Sequence, residues 1–142
     1  MIKGIGHTAF NVTDMEKTIA FYERTFGFKR AFSISHPETG KPWIEYLYAG
    51  GDQFIELFYG ATEQPPYRDE NAGFFHLCLQ VEDIDAAWQR ITEAGAPRND
   101  APKTGGDGNR QCWTHDPDGV KIELMQVGRD SLQARYIRSL RE

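Results

Sequence analysis

The chain has 142 residues and a formal net charge of −5, from 16 Lys and Arg against 21 Asp and Glu; one domain of this length buries roughly two thirds of its unfolded surface, so a core forms without disulfide or metal staples and any metal serves chemistry. The acidic balance without a Lys/Arg cluster excludes a phosphate-backbone footprint, hence nucleic acid. No apolar run approaches the ~18 residues that span a bilayer, the start MIKGIGHTAF lacks a signal-peptide layout, and Cys78 and Cys112, without CxxC spacing, suit reduced core thiols in a cytoplasmic setting.

Residues 4–12 alternate as a strand, with Thr8, Phe10 and Val12 on one face and His7, Ala9 and Asn11 on the other. A helix is expected next. Thr13 or Asp14 can cap it, Met15, Ile19, Tyr22 and Phe26 recur at helical spacing, and Gly27 stops it. Strands follow over 29–35, 43–49 and 54–59, separated by HPETGKP and by Gly50-Gly51-Asp52. A polar, Pro-containing linker covers 60–73. The order then recurs: a strand over 74–81, a helix over 84–94 ending at Gly95, a weak strand near Lys103, and strands over 110–115 and 121–127 joined by Asp116-Pro117-Asp118-Gly119. A terminal helix over 131–140 carries Leu132, Tyr136 and Leu140 on one stripe, read as packing.

The recurrence extends to residues. Placing His7 over His76, an offset of 69, aligns GHTAFNVTDM with FHLCLQVEDI, so that Asp14 falls on Asp83. QFIELF falls on VKIELM at an offset of 67 and pairs Glu56 with Glu123. The chain therefore reads as two tandem βαβββ modules.

Strand alternation decides which side chains share a face. The apolar neighbours of His7 and His76 point to the helix side, and Ile55 and Leu57, like Ile122 and Leu124, are the core-facing set of the closing strands. His7, Glu56, His76 and Glu123 are thereby turned to the opposite, concave side. Two imidazoles and two carboxylates make a borderline donor set suited to Ni, Co, Zn, Fe or Mn. The plainer alternative for either Glu is a structural ion pair with Arg24, Arg110 or Lys121. His36 and His115 flank Pro- and Asp-rich turns and read as turn residues. Cys78, on the face of His76, reads as a small pocket wall, Trp43, Trp88 and Trp113 as core, and Gly105-Gly106-Asp107-Gly108 as a mobile loop over the cup.

The segments GHTAFNVTDMEKTIAFYERTFGF, FIELF, FHLCLQVEDIDAAWQRI and DPDGVKIELMQ, in that order within residues 4–127, resemble the vicinal oxygen chelate superfamily, which includes glyoxalase I, methylmalonyl-CoA epimerase, extradiol dioxygenases and fosfomycin- and bleomycin-resistance proteins. The resemblance implies an α+β fold over 1–142. Two tandem modules, about 4–59 and 74–127, would form an open cup-shaped mixed β-sheet with helices outside. It implies one divalent metal, Ni, Co or Zn before Mn or Fe, on His7, Glu56, His76 and Glu123, which match the glyoxalase I ligand positions without substitution. The implied activity is that of a metal-dependent lyase or isomerase resembling lactoylglutathione lyase, with Glu123 as base and Glu56 opposite it. The implied partners are a small carbonyl substrate or its thiol adduct and a second copy of the chain. Asn11 and Gly60 stand where glyoxalase I of the best-known bacterial type has the Arg and Asn that hold glutathione. Alternatives are an extradiol dioxygenase, for which Glu56 is surplus, an epimerase, which usually has Gln in place of Glu56, and a non-enzymatic binder, which usually lacks the metal residues.

Overall fold

The computed structural model describes residues 2–63, 68, 70 and 72–141 and consists of two compact units, Met1–Asn71 and Ala72–Glu142. The first holds β1 (His7–Asn11), α1 (Met15–Phe26), β2 (Lys29–Ser35), β3 (Pro42–Gly50) and β4 (Gln53–Phe58). The second holds β5 (Leu77–Gln80), α2 (Ile84–Glu93), β6 (Asp100–Thr104), β7 (Arg110–His115), β8 (Lys121–Gln126) and α3 (Leu132–Ser139). Each unit is one four-stranded sheet, ordered β1-β4-β3-β2 in the first and β5-β8-β7-β6 in the second. The first strand runs parallel to the last and the other pairs are antiparallel. This is the α+β, doubled βαβββ architecture that the repeat predicts. Among the described residues no helix is long and apolar enough to cross a membrane.

The repeated aspartates explain why helices begin where they do. Asp14 accepts from the Lys17 amide, and Asp83 from the amides of Asp85 and Ala86, so each occupies donors that the first turn leaves free. Gly27 ends α1 in the left-handed region at φ 75°, its N–H donating to the Glu23 and Tyr22 carbonyls. Phe10, Leu47, Ile55 and Leu57 on the sheet are buried, as are Ile19 and Tyr22 on α1, which leaves the opposite sheet face to carry chemistry.

One carboxylate on the core side is structural. Glu45, on β3, is 3% exposed. It accepts from Arg30 Nε at 2.9 Å, Ser33 Oγ at 2.7 Å and Tyr59 Oη at 3.0 Å, while Arg30 Nη1 also reaches Glu16 of α1 at 3.1 Å. The network ties β2, β3 and α1 together.

Several expectations need correction. β1 begins at His7, and His76 immediately precedes β5, so both strands are shorter than the alternating segments. The packing assigned to the terminal helix is absent: α3 has no buried residue, and Leu132, Tyr136 and Leu140 are 57%, 66% and 68% exposed. Polar contacts hold it instead, through the Ser131 cap, the Leu132 amide on the Asp107 carbonyl and Gln133 Oε1 on Asn109. Residues 105–108 are pinned rather than mobile, since a Cβ at Gly128 would run into the Gly108 carbonyl oxygen and Asn109 bridges Asp107 to Gly128. Trp43, Trp88 and Trp113 are all half-buried, not core. Cys112 is a buried free thiol, but Cys78 is exposed. The expected linker, 60–73, lies partly outside the described residues.

The Arg30 guanidinium holds the Glu45 carboxyl below its ordinary value of 4.5. A depressed folded-state value contributes stability above the unfolded value, and that stability is lost as pH falls through the folded one. Glu45→Gln is expected to cost about 2 kcal/mol at pH 7, read by chemical denaturation. Its melting temperature should then fall less steeply than that of the wild type as pH drops below about 4.5.

Candidate metal centre

Parallel pairing of β1 with β4 places Ala9 opposite Glu56 and His7 opposite Phe54. Because strand side chains alternate, His7, Ala9, Phe54 and Glu56 share the face away from Ile55 and Leu57. There His7 Nε2 stands 3.3 Å from Glu56 Oε1, with the carboxylate side chain only 8% exposed. The second unit repeats the arrangement. Cys78 stands opposite Glu123, and His76 Nε2 lies 3.0 Å from Glu123 Oε2, with the Glu side chain 10% exposed. The sheet register therefore sets the residues singled out by the repeat as one imidazole–carboxylate pair in each unit. Among the described residues, no three His, Cys, Asp or Glu lie close enough together to hold an ion.

The donor chemistry fits a divalent cation. Imidazole nitrogen and carboxylate oxygen are the donors that borderline divalent cations take, and each pair sets one of each side by side, at 3.3 and 3.0 Å. Both pairs use Nε2. Of the cations considered as ion-pair partners, Arg110 forks onto Asp85 at 2.7 and 2.9 Å, and Lys121 Nζ lies over the rings of Phe75 and Trp113 at 4.6 and 4.8 Å.

The surroundings of the two carboxylates differ. On β3, Tyr46 stands opposite Glu56. Hydrogen bonding to that carboxylate raises the Tyr46 hydroxyl above its usual value. On β7 the matching place opposite Glu123 belongs to Trp113, whose ring packs edge-on against His76 at 4.9 Å. His76 Nδ1 is buried without a hydrogen-bond partner, so contacts with Phe75 and Trp113 orient the ring. Burial, then the Glu123 carboxylate, pushes the Cys78 thiol up to about 12, even though the residue as a whole is exposed. Tyr46 was not singled out from the sequence, and Trp113 was read there only as core. The signal was available, since they are related by the same offset of 67 as Glu56 and Glu123.

The turn before β8 sets Glu123 in place. Asp116, 2% exposed, accepts from the amides of Asp118 and Val120 at 2.9 Å each, and Gly119 takes φ 83°. Of the two other histidines, His36 flanks its turn as expected, the Glu38 amide donating to its Nδ1. His115 ends β7 instead, with Nδ1 3.1 Å from Asn99 Oδ1.

Residues 4–124 match the Glyoxalase/Bleomycin resistance protein/Dioxygenase superfamily. The chain belongs to this superfamily. The ethylmalonyl-CoA/methylmalonyl-CoA epimerase of Cereibacter sphaeroides is 33% identical over 136 residues, covering 89% of this chain and 100% of the relative. The lactoylglutathione lyase of Salmonella typhimurium is 30% identical over 125 residues, covering 85% and 90%. Among solved structures, a glyoxalase family protein from Enterococcus faecalis is similar with a TM-score of 0.73 and 28% identity, over 87% of this chain and 97% of the other. Membership in the superfamily leaves the reaction open, because an epimerase and a lyase stand at nearly equal identity.

The most family-like motif, DPDG, acts here through its first carboxylate as a turn lock. Asp116→Ala should therefore cost about 2 kcal/mol, by stranding two buried amides, and Asp116→Asn distinctly less, because one acceptor oxygen remains; thermal denaturation of both variants checks the ranking.

Proposed function

We propose that the protein is a metal-dependent enzyme of the glyoxalase I kind that moves a proton on a carbon next to a carbonyl, with Glu123 as principal base and Glu56 as ligand and second base. The observation that supports it best is the imidazole–carboxylate pair occurring twice at equivalent sheet positions, with donor spacings of 3.3 and 3.0 Å. His7, Glu56, His76 and Glu123 would hold one Ni, Co or Zn ion. When bound, such an ion supplies Lewis-acid stabilisation of the negative charge that develops on the carbonyl oxygen as the adjacent C–H is lost.

The division of labour follows from the carboxylates' neighbours. A phenol hydrogen-bonded to Glu56 occupies one of its lone pairs. Glu123 faces an indole and a thiol, weaker calls on its lone pairs, and is the better placed to take a proton and return it. Glutathione is the part of the family pattern with least support. Asn11 is a poor anion partner, and Gly60 at φ 106° occupies backbone space that an Asn would strain to adopt. The epimerase relative favours a second reading, in which the proton returns to the carbon that lost it. The two share the first step and differ in product.

Elemental analysis should find one divalent ion per chain, retained poorly by His76→Ala; full metal content in that variant would contradict the site. Glu123→Gln should lower kcat by roughly a hundred- to ten-thousandfold. In D₂O the wild type should exchange the carbon-bound proton of an α-hydroxycarbonyl, with no oxygen uptake. Exchange at the same carbon alone indicates the epimerase, and catechol opening with oxygen uptake overturns the proposal.

A further inference from the structure

We infer that the substrate carries an aromatic or similarly flat apolar group beside its chelating oxygens, and that this group lies on the sheet face around Glu56. The inference rests on the site proposed above and names its substrate class. In-register pairing sets Phe32, Tyr46 and Glu56 in one row across the first sheet, and Tyr48, Phe54 and His7 in the next. The rings touch one another: Phe32 stacks on Tyr46 at 4.3 Å, and Phe54 stands 6.0, 6.4 and 5.6 Å from Phe32, Tyr46 and Tyr48. A sheet face open to water is ordinarily polar. Here Phe32 is 50% and Tyr48 36% exposed, a contiguous apolar patch of the kind that marks a binding surface.

The twin unit shows that the fold does not require these rings. At the offset of 67 that relates the two glutamates, Tyr48 is replaced by His115 and Phe54 by Lys121. By sheet register the place of Phe32, opposite Tyr46, belongs to Asp100, opposite Trp113. Three of four aromatics thus give way to a histidine, an ammonium and a carboxylate at equivalent positions, and the same architecture stands. Packing demands common to both sheets cannot account for the aromatic set, whereas a ligand lying on one of them does. The occupant is a small molecule and not another chain, because the patch has a nearly buried carboxylate at its centre. An apolar protein surface laid over Glu56 would strip its remaining water without return, while a ligand bringing polar oxygens next to a flat hydrocarbon answers both the carboxylate–imidazole pair and the rings. Lys29, opposite Tyr48 at the sheet edge, shares that face and sets one ammonium at the rim of the patch.

The test compares benzohydroxamate with acetohydroxamate, which share one two-oxygen chelating group and differ in phenyl against methyl. Affinities are measured by titration calorimetry on the wild type, Phe32→Ala and Tyr48→Ala, each metal-free and Ni-loaded, with contacts read by saturation transfer from protein aromatic protons. Both exposed positions tolerate truncation without endangering the fold. The expected result is a preference of about tenfold or more for the phenyl compound in the wild type, reduced severalfold in each variant, with saturation transfer to the phenyl protons. Equal affinities, or a preference unchanged in both variants, overturn the inference. Phenyl preference that depends on Phe32 but not on the metal sinks the metal reading and leaves the aromatic subsite standing; metal-dependent binding without phenyl preference does the reverse, and no binding of either compound sinks both. A dimer that Phe32→Ala converts to monomers, with the hydroxamate preference intact, would give the patch to a second copy and overturn the inference.

Discussion

A carboxylate set into an apolar strand must be answered, because an unpaired buried charge costs several kcal/mol in a molecule whose whole stability is of order ten. Three glutamates meet this constraint: Glu45, Glu56 and Glu123 are 3%, 6% and 7% exposed. Their answers differ, and the difference separates structure from chemistry. Glu45 receives a guanidinium, a hydroxyl and a phenol, which saturate it and cement β2, β3 and α1. Glu56 and Glu123 each stand against one imidazole nitrogen, with partial calls from a phenol or a thiol. Nearly buried carboxylates, each paired with an imidazole, are the donor set that the proposed ion would use.

Duplication explains why the pairs match, and divergence explains why they are not equivalent. The parallel β1–β4 and β5–β8 pairings fix the same spacing between imidazole and carboxylate in both units, so the donor geometry is inherited from the sheet and not from loops. What varies is the layer of side chains around it. Tyr46 against Trp113, Ala9 against Cys78, and Phe54 against Lys121 are substitutions at positions that leave the backbone untouched. One sheet face thereby gathers four aromatic rings around its carboxylate, and the other sets Trp113 beside a histidine, an ammonium and a carboxylate at the matching places. Changes at these positions can retune a substrate preference without disturbing the frame.

The parts legible in the sequence are those governed by short-range rules. Aspartate caps, Gly27, the DPDG turn and the period-two alternation act over a few residues, so the element order, β2 and β7 to the residue, and the helix starts follow from local chemistry. The repeat offsets matched His7 with His76 and Glu56 with Glu123, a long-range relation that a single unduplicated module would not have disclosed, and the sheet then set each imidazole against its own carboxylate. Features decided by tertiary context were harder to read. The stripe on α3 has a core helix's spacing, yet its neighbours are polar groups around Asn109 and Ser131, and it stays exposed. A glycine run such as 105–108 signals mobility until Gly128 is found packed against it. Glu45 was overlooked because its partners, Arg30, Ser33 and Tyr59, come from different strand and loop positions with no common spacing.

As proposed, the two imidazole–carboxylate pairs serve a single ion. X-ray absorption on the Ni-loaded protein addresses it directly. Two imidazole nitrogens and carboxylate oxygens at about 2.0–2.2 Å, without sulfur scattering, are predicted. A shell containing one imidazole, or a sulfur at about 2.3 Å from Cys78 or Cys112, would contradict it.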